Sequence, residues 1–434
     1  MSESKNDAAW EKLFEKYHIL DQLENLDYFL ISSNDINEFR EARLMTKFDH
    51  RSQMPRIFSD NKLSILPVSR GGYIIGRFET FHDFTQIRDK VETKKISFPT
   101  FIESLNPKNI TSEATAINCA FIAGIIQDFT GEYELHPTIS GRMSSSSFDF
   151  SIDMDAKTKL LRVGVCNSQI EIDGGYEGND SLIIIEAKNY ISDDFLIRQL
   201  FYPYKLWIQK IGKKIRPIFL VYTNETFHLR EYTFSDNNYY NSIQLVRQQK
   251  YEIKEENEEN TINIEVIQKT LSKVLIKPEP SISFPQADSF ERIINLCELL
   301  NQKFTLSKEE ITQEYDFSSR QAGYYSSAAV YLGLVERKKE DKILLYRLSE
   351  QGAKLFNLSV KNRKIELVES ILSHEIFSKI LELYLKKGAV PSKEKIIEMM
   401  HEAKLYNVKS DETYDRRYST VLAWIKWIIN LIEE

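Results

Sequence analysis

The sequence predicts a protein of the α/β (α+β) class, with a mixed central sheet followed by mostly α-helical modules. Between residues 135 and 234 it consists of short runs rich in β-branched and aromatic residues, which is typical of strands. One helical pattern, 192–211 with Pro203 inside it, interrupts these runs. Strands, a helix and a further strand are the order that a mixed sheet with a packed helix requires. After a Pro- and Ser-rich stretch at 277–286, amphipathic helical patterns dominate.

Individual elements follow from the same patterns. The predicted strands of the middle region are 147–154, 160–165, 168–172, 182–186 and 217–222. Further upstream, the sequence predicts a helical start over 8–29 and a strand pair within 63–80, turning at Ser69-Arg70-Gly71-Gly72. A helix is predicted from Thr111 or Ser112 to Phe129, with a glycine stop at Gly131.

The last third contains two helical blocks of similar order. In the first, helices are predicted at 289–300, 307–315 and 318–334, followed by two strands within 335–348 around the charged turn ERKKEDK. Three helices and a β-wing are the elements of a winged helix. The second block predicts helices at 365–387, 392–403 and 411–429, with little sign of a wing.

These patterns divide the chain into five parts. The predicted parts are an N-terminal α+β region (1–105), a sheet-containing core (106–276), a linker (277–288), a winged-helix domain (289–360) and a second winged-helix-like domain (361–434). The acidic stretch 252–263 is predicted to be an exposed edge or hinge.

Composition limits the class of protein. Of the 434 residues, 42% are hydrophobic and 28% charged, which argues against disorder, collagen and a membrane bundle. Apolar runs fall far short of the roughly 20 residues that a membrane span needs, and residues 1–9 lack the apolar stretch of a secretory signal. We therefore expect a cytoplasmic protein without membrane partners. Its three cysteines, Cys119, Cys166 and Cys297, are widely spaced in apolar contexts and are predicted to be buried thiols.

The net charge of −7 does not by itself indicate a nucleic-acid binder. The acidic excess lies before Ser281, so a local basic face remains possible further on. An acidic total is also natural for a protein that gathers carboxylates around a metal ion.

The most informative stretch joins Asp173, at the close of one predicted strand, to Glu186-Ala187-Lys188 at the end of the next. A Gly-rich turn is predicted to let the two strands pair. Side chains alternate along a strand, so Glu186 and Lys188 point to the same face. The same Glu-x-Lys spacing recurs at Glu92/Lys94, Glu252/Lys254, Glu336/Lys338, Glu340/Lys342 and Glu402/Lys404. Only Glu186 ends an apolar β run and follows such an aspartate.

This set of side chains is suited to phosphodiester hydrolysis. The reaction needs a divalent cation that polarises the phosphate and activates water, and the carboxylates of Asp173 and Glu186 are the hard ligands that Mg²⁺ prefers. Lys188 could orient the water or stabilise developing negative charge. A solvent-facing ion pair would show the same residues and is the structural alternative.

These residues resemble the PD-(D/E)xK nuclease superfamily, with Asp173 as the motif aspartate and Glu186-Ala187-Lys188 as (D/E)xK. Ile172 replaces the proline, which leaves Asp149 or Asp153 as alternatives for the first carboxylate. The resemblance implies a catalytic set of Asp173, Glu186, Lys188 and Gln199, and a metal shell of Asp173, Glu186 and Glu113.

Two parts of this set have structural alternatives. Gln199 with Tyr202 or Tyr204 resembles the QxxxY element that follows the lysine in some of these nucleases, but the tyrosines could equally be helix core. Glu113 stands where many of the nucleases add a helix glutamate, and it could equally be a cap that complements the helix dipole.

DNA contacts are expected from the helical blocks. In a winged helix the third helix enters the major groove, where Arg and Gln read base edges. The predicted contacts are Arg142, Ser319, Arg320, Gln321, Tyr324, Lys338, Lys339, Arg416 and Arg417. Lys47, Arg51 and Arg70 could also meet phosphates. Protein contact or scaffolding is the alternative for both blocks.

A nuclease core joined to C-terminal winged helices resembles the type II restriction endonucleases. The resemblance implies Mg²⁺-dependent cleavage of double-stranded DNA at a short specific sequence, a homodimer matched to a two-fold site, and a cognate DNA methyltransferase that protects the host. A repair or structure-specific nuclease is the alternative enzyme. A DNA-binding regulator with an inactive nuclease fold is the alternative outside enzymes.

Overall fold

The computed structural model describes residues 4–84, 91–254, 262–315 and 317–433. It divides into two compact units, Met1–Lys254 and Glu255–Glu434. Both combine helices and sheets, so the predicted mixed α/β class is confirmed at this level. The finer division into five parts stays a prediction.

The first unit contains most of the strands. Its helices are α1 (Lys5–Lys16), α2 (Ile19–Gln22), α3 (Ser33–Asn37), α4 (Ala42–Met45), α5 (Arg56–Asp60), α6 (Glu113–Ile122), α7 (Ile125–Thr130) and α8 (Arg198–Ile208). Its strands are β1 (Phe29–Ser32), β2 (Ser64–Ser69), β3 (Gly72–Gly76), β4 (Phe81–Asp83), β5 (Thr93–Ser97), β6 (His136–Ser144), β7 (Ser147–Met154), β8 (Lys159–Cys166), β9 (Gln169–Glu177), β10 (Ser181–Lys188), β11 (Asp194–Leu196), β12 (Lys214–Thr223), β13 (Thr226–Phe234) and β14 (Ile243–Lys254).

A seven-stranded mixed sheet forms the centre of this unit. Its order is β5-β14-β13-β12-β10-β9-β6. Strand β10 runs parallel to β12 and antiparallel to β9, so the chain crosses over through α8 between β10 and β12. This is the strand, helix and strand order that the sequence predicts.

Two predicted strands belong to a different sheet. Strands β7 and β8 pair with each other and join the N-terminal strands in the order β1-β3-β2-β8-β7. The prediction that 147–154 and 160–165 lie in the sheet of β10 is therefore wrong. Alternation along a strand fixes which residues share a face, but it does not say which strand is the partner.

Strand β10 is buried along its whole length. Leu182 and Ile184 pack into the core on the side of α8, while Ile183, Ile185 and Ala187 pack into the core on the side of α6. A strand covered on both faces reads as a continuous apolar run, which explains the sequence Leu-Ile-Ile-Ile. Glu186 and Lys188, at the end of the strand, lie on the same face as Leu182 and Ile184.

The two glycines after Asp173 do not form the turn. Gly174 and Gly175 lie inside β9, paired with Ile185 and Ile184. A Cβ atom on Gly175 would lie 2.8 Å from Cβ of Ile139, so the absent side chain lets the neighbouring strand β6 approach. Strand β9 therefore continues to Glu177, and Asp173 lies within it, not at its close.

Several helices of the first unit differ from their predicted bounds. The predicted helix 8–29 consists of α1 and α2 followed by β1, and the predicted helix 112–129 breaks into α6 and α7 at Gly124, whose φ is +78°. Helix α8 begins only at Arg198, because residues before it form β11 against β4. Pro203 is accommodated inside α8.

The second unit is mainly helical. Its helices are α9 (Ile264–Lys273), α10 (Phe290–Lys303), α11 (Lys308–Glu314), α12 (Ser319–Tyr331), α13 (Glu350–Leu355), α14 (Val360–Leu372), α15 (Glu375–Lys387), α16 (Lys393–Glu402) and α17 (Asp411–Glu433). Its strands are β15 (Thr305–Ser307), β16 (Val335–Glu340) and β17 (Ile343–Leu348), which pair in the order β15-β17-β16.

Two predictions for this unit need correction. The ERKKEDK stretch is mostly strand β16, with a tight turn at Asp341 and Lys342, both at positive φ. The single helix predicted over 365–387 is α14 and α15, separated at Ser373 and His374. No glycine or proline marks this break, so local sequence did not reveal it.

The predicted linker 277–288 contains no helix or strand but packs on the helical unit. Phe284 is buried, and its N–H donates to the carbonyl oxygen of Tyr406. Phe290 contacts Trp424 and Trp427, which are both buried. Residues 255–261 of the predicted hinge lie outside the described residues.

The cysteines and the membrane prediction can be compared directly with the structure. Cys119 and Cys297 are buried thiols as predicted, whereas Cys166 is exposed at the end of β8, so its predicted burial is wrong. Across residues 4–84, 91–254, 262–315 and 317–433, we find no helix with the length and apolar character of a membrane span.

Candidate active site

Strands β9 and β10 bring the predicted aspartate and the Glu-x-Lys triplet together. The register of the two strands pairs Ile185 with Gly174, and Asp173 is the next residue along β9. Its Oδ2 accepts a hydrogen bond of 2.9 Å from the backbone N–H of Ala187, the middle residue of the triplet. The antiparallel pairing of β9 and β10 therefore fixes Asp173 beside Glu186 and Lys188.

Glu186 and Lys188 form a buried ion pair. Their exposed fractions are 7% and 6%, and Nζ of Lys188 donates to Oε1 of Glu186 at 2.6 Å. Burial raises the pKa of Glu186 to about 8, and Asp173 adds to the rise while Lys188 opposes it. Burial disfavours the charge on Lys188, but Glu186 and Glu113 outweigh it and hold the pKa of Lys188 well above its usual value. The structural alternative, a solvent-facing ion pair, does not describe this arrangement.

Helix α8 contributes Gln199 to the same carboxylate. Its Nε2 donates to Oε1 of Glu186 at 2.6 Å, the oxygen that Lys188 also contacts. Gln199 lies one residue after the start of α8, where the helix begins beside the end of β10. Two donors on one oxygen fix the orientation of the Glu186 carboxylate.

Helix α6 supplies Glu113 as its first residue, after the N-cap Ser112. Oε1 of Glu113 lies 3.9 Å from Nζ of Lys188. Burial raises the pKa of Glu113, Lys188 lowers it and Asp173 raises it further, so this carboxylate belongs to the same electrostatic cluster. The cap in this helix is Ser112, which accepts from the N–H of Thr115.

Asp49 is a member of the cluster that sequence reasoning missed. It is 8% exposed, and Lys188 and Lys47 lower its pKa against the opposing effect of burial. The carbonyl oxygen of Asp49 accepts from the N–H of Leu196, in the segment between Lys188 and Gln199. No local sequence pattern marks Asp49, which lies in a loop far upstream of the triplet. Only the tertiary fold brings it to the cluster.

His50, the residue after Asp49, binds the segment that follows Lys188. His50 is fully buried, with Nδ1 2.7 Å from the carbonyl oxygen of Asp194 and Nε2 2.9 Å from the hydroxyl of Tyr190. Arg51 forms an ion pair with Asp194 at 3.0 Å. These contacts attach residues 49–51 to the chain between the two elements that carry Lys188 and Gln199.

The alternatives for the first carboxylate lie elsewhere. Asp149 faces solvent on β7 and pairs with Arg162, and Asp153 accepts a hydrogen bond from the hydroxyl of Tyr239. Both belong to the five-stranded sheet, so of the three aspartates Asp173 is the one that the structure brings to Glu186.

The tyrosines of the QxxxY-like element lie in the core. The hydroxyl of Tyr202 donates to the carbonyl oxygen of Pro67 at 3.0 Å, and that of Tyr204 donates to Asn237. Gln199 therefore contacts the cluster, while both tyrosines are buried and their hydroxyls bind partners outside the cluster.

Replacing Gln199 by alanine is expected to reduce any hydrolytic activity of this site by about 10- to 100-fold, because a hydrogen bond to a charged group contributes roughly 1.5–3 kcal/mol. Tyr202→Phe removes a hydrogen bond on the same helix and is expected to cost about 1 kcal/mol of stability with little loss of rate. Initial rates and urea unfolding of both variants test this. Equal rate losses in the two variants would contradict the assigned role of Gln199.

The carboxylates that could hold a divalent cation are Asp173 and Glu186, with Glu113 nearby. Lys188 and Gln199 both donate to Oε1 of Glu186. In the part of the chain that the structure describes, no group of three or more His, Cys, Asp or Glu side chains is arranged to hold a metal ion. The donor set is thus a pair of hard oxygen ligands, which fits Mg²⁺ with water completing its shell and does not fit structural zinc.

The predicted DNA contacts in the first unit lie on the edge strand β6, in the segment after α4 and in the turn between β2 and β3. Arg142 is on the edge strand β6 and pairs with Glu171 at 3.3 Å. Lys47 is exposed and lies 3.7 Å from Asp49, next to the cluster. Arg51 pairs with Asp83 and Asp194, and Arg70 is exposed in the turn between β2 and β3.

In the second unit, the predicted contacts lie on α12, β16 and α17. Ser319 begins α12, and Arg320 donates to the hydroxyl of Tyr324 at 2.6 Å. Oε1 of Gln321 accepts from the N–H of Ser318, so this side chain closes the helix N-terminus. Lys338 pairs with Glu340 at 2.6 Å, and Lys339 is exposed beside it on β16. On α17, Arg416 is exposed and Arg417 donates to Gln286.

Comparison with known families covers most of the chain in three segments. Residues 7–75 match a domain of unknown function, DUF6996, residues 76–252 match the domain of unknown function DUF6997, and residues 292–433 match the domain of unknown function DUF7226. No curated protein and no solved structure matches the chain. Asp173, Glu186 and Lys188 fall in the second match and Asp49 in the first, so the cluster draws on two of these segments.

Proposed function

We propose that the protein is a Mg²⁺-dependent deoxyribonuclease of the PD-(D/E)xK type that cuts double-stranded DNA at a short specific sequence, as type II restriction endonucleases do. The observation that carries the proposal is the meeting of Asp173, within β9, with Glu186 and Lys188 at the end of the paired strand β10. Glu-x-Lys triplets that arise by chance do not share this setting beside a paired aspartate at a buried strand end. Glu402-Ala403-Lys404 has the same letters but lies exposed at the end of α16.

Each side chain has a role in this proposal. Asp173 and Glu186 would hold the cation, with Glu113 at its margin. A bound Mg²⁺ would polarise the phosphate and lower the pKa of water. The ammonium group of Lys188 would orient the attacking water and stabilise negative charge on the phosphate. Gln199 would keep the Glu186 carboxylate in place.

The electrostatics of the cluster support a cation. Burial and the neighbouring carboxylates raise the pKa of Glu186 and that of Glu113, and Lys188 is the cation that the structure gives them as an ion-pair partner. A divalent cation would stabilise the ionised forms. Buried groups with shifted pKa values of this kind are typical of functional sites.

Recognition of DNA is proposed for the second unit. The order α10, β15, α11, α12, β16 and β17 is that of a winged helix, in which α12 would enter the major groove. Arg320 would read base edges, and the lysines of β16 would contact the backbone. The second helical block, with Arg416 and Arg417, would add further DNA contacts. A homodimer would match a two-fold site, and a cognate methyltransferase would protect the host DNA.

Incubating the purified protein with unmethylated viral DNA is expected to yield discrete fragments in Mg²⁺ and intact DNA in EDTA. Agarose gels resolve the products. A smear would support a repair or structure-specific nuclease instead. Intact DNA that is shifted on the gel at every Mg²⁺ concentration would support a binding protein with an inactive nuclease fold.

A further inference from the structure

The amino-terminal ends of α12 and α17 lie close together in the second unit. Arg320 and Tyr324 share a hydrogen bond on α12. Both Tyr324 and Arg416 act electrostatically on Arg417, whose guanidinium is half-buried. Residues that the sequence places in two separate helical blocks therefore form one group.

A short segment ties the two helices to each other. Gln286 accepts a hydrogen bond from Arg417 of α17, and the N–H of Ala287 donates to Oγ1 of Thr420 of the same helix at 3.0 Å. The next residue, Asp288, accepts from the hydroxyl of Tyr325 of α12 at 3.3 Å. We call residues 286–288 the bridging segment.

The bridging segment is also anchored in the core. The indole N–H of Trp424 donates to the carbonyl oxygen of Ala287 at 2.8 Å, and Trp424 is fully buried. Tyr325 is buried on α12. Because both ends of the bridge reach packed side chains, α12 and α17 are held in a fixed relation.

The group formed by Arg320, Tyr324, Arg416 and Arg417 is positively charged and partly exposed. Arg320 and Arg416 are exposed, and the Lys308 side chain of α11 lies over Gly323, with Nζ 3.4 Å from the position of a Cβ atom there. Asp415, beside Arg416, forms an ion pair with Lys393 at 3.0 Å. Arg320 lies in the first turn of α12, where the helix dipole adds attraction for anions, and Arg416 and Arg417 lie in the second turn of α17.

We propose that α12 and α17 bind one and the same DNA duplex, with α12 in the major groove and Arg416 and Arg417 on the adjoining phosphates. This rests on the proposed function, since it takes DNA as the ligand. The major groove admits one helix, and guanidinium groups suit the phosphates that flank it. The two helical blocks are then one reading surface, not two independent ones.

The test measures binding without cleavage. A fluorescein-labelled duplex of about 15 base pairs is titrated with the full chain in EDTA at several salt concentrations, and anisotropy gives affinity, stoichiometry and salt slope. We expect no more than one duplex per chain. Arg416→Ala removes a proposed phosphate contact and should lower the slope by about 1, whereas Arg320→Ala removes a proposed base contact and should weaken binding by about 5- to 100-fold.

Two further variants make the test specific. Lys386→Ala removes one exposed charge of the same unit, from α15, and should leave the slope unchanged. Gln286→Ala removes no charge but should weaken binding about threefold or more, because it releases Arg417 from the bridge. Circular dichroism confirms that each variant is folded.

The outcomes separate this inference from the proposed nuclease activity. Duplex binding with these slopes but no cleavage in Mg²⁺ would support the surface and overturn the nuclease. Two duplexes per chain, an unchanged slope in Arg416→Ala, or preference for a single-stranded RNA competitor would overturn the shared surface even if cleavage occurs.

Discussion

Replacing Lys188 by alanine is expected to lower the rate of Mg²⁺-dependent DNA cleavage by about 100- to 10,000-fold, the loss typical for removal of a charge-stabilising group or a general acid or base. Lys188 is 6% exposed and contacts Glu186 at 2.6 Å, so its ammonium group is held inside the cluster. Single-turnover rates on a plasmid substrate measure the effect. Duplex binding in EDTA should stay within about twofold of the original protein, because the variant leaves the proposed DNA-reading helices unchanged.

The chain contains its own control for this experiment. Glu402-Ala403-Lys404 repeats the triplet in an exposed setting, so Lys404→Ala should cleave at the original rate. Lys188→Met keeps the side-chain volume while removing the charge, and it should lose as much activity as the alanine variant. Cleavage by Lys188→Met at the original rate would remove Lys188 from the proposed mechanism.

The sequence was sufficient to predict the central part of the cluster because that part is local. An apolar run that ends in Glu186 is a strand, alternation puts Lys188 on the same face, and the preceding strand brings Asp173 alongside. Each step spans a few residues. The position of Gln199 can be predicted in the same way, since this residue lies at the start of the next helix. These contacts are determined by strand pairing and by one short connection.

The rest of the cluster depends on contacts between distant parts of the chain. Asp49 lies in a loop after α4, and its place beside Lys188 results from the way His50 and Arg51 bind residues 190–196. The assignment of β7 and β8 to the N-terminal sheet has the same origin. Pairing partners are set by tertiary packing, which a pattern of alternating residues does not encode.

Helix boundaries show a third limit of sequence reasoning. Gly124 ends α6 with a positive φ, a signal that the sequence contained but that a continuous apolar pattern concealed. The break between α14 and α15 has no such signal, and Ser373 and His374 are simply where two packed helices meet. The helical spacing of apolar residues continues through both breaks. It therefore predicts which face of each helix is buried, but not where each helix ends.

Replacing Glu186 by glutamine is expected to remove the stabilising effect of Mg²⁺ together with the cleavage activity. Burial raises the pKa of Glu186 from its ordinary 4.5 to about 8, so the folded chain retains a proton that the unfolded chain has lost. Without metal, the free energy of unfolding should therefore fall as the pH rises between these two values. In Glu186→Gln this contribution to the pH dependence should be absent.

Mg²⁺ should favour the ionised form of the Glu186 carboxylate in the folded chain, whereas the proton favours the neutral form. At 100 times its Kd a ligand of the folded state contributes about 2.7 kcal/mol, which is a rise in Tm of about 5–10 °C for a unit of this size. The rise should be larger at pH 9 than at pH 6, because the proton competes with the cation below the raised pKa of Glu186. Thermal unfolding with and without Mg²⁺ at both pH values measures this. The cleavage rate of Glu186→Gln should fall at least about a thousandfold.

Glu402→Gln is the matched control, since it neutralises the exposed glutamate of the second triplet and should respond to Mg²⁺ as the original chain does. An equal Mg²⁺-dependent rise in Tm for the original protein and Glu186→Gln would place the cation elsewhere. A rise that is larger at pH 6 than at pH 9 would show that the bound metal does not displace the Glu186 proton. Because both readouts are independent of cleavage, they test the metal site even if the DNA substrate is wrong.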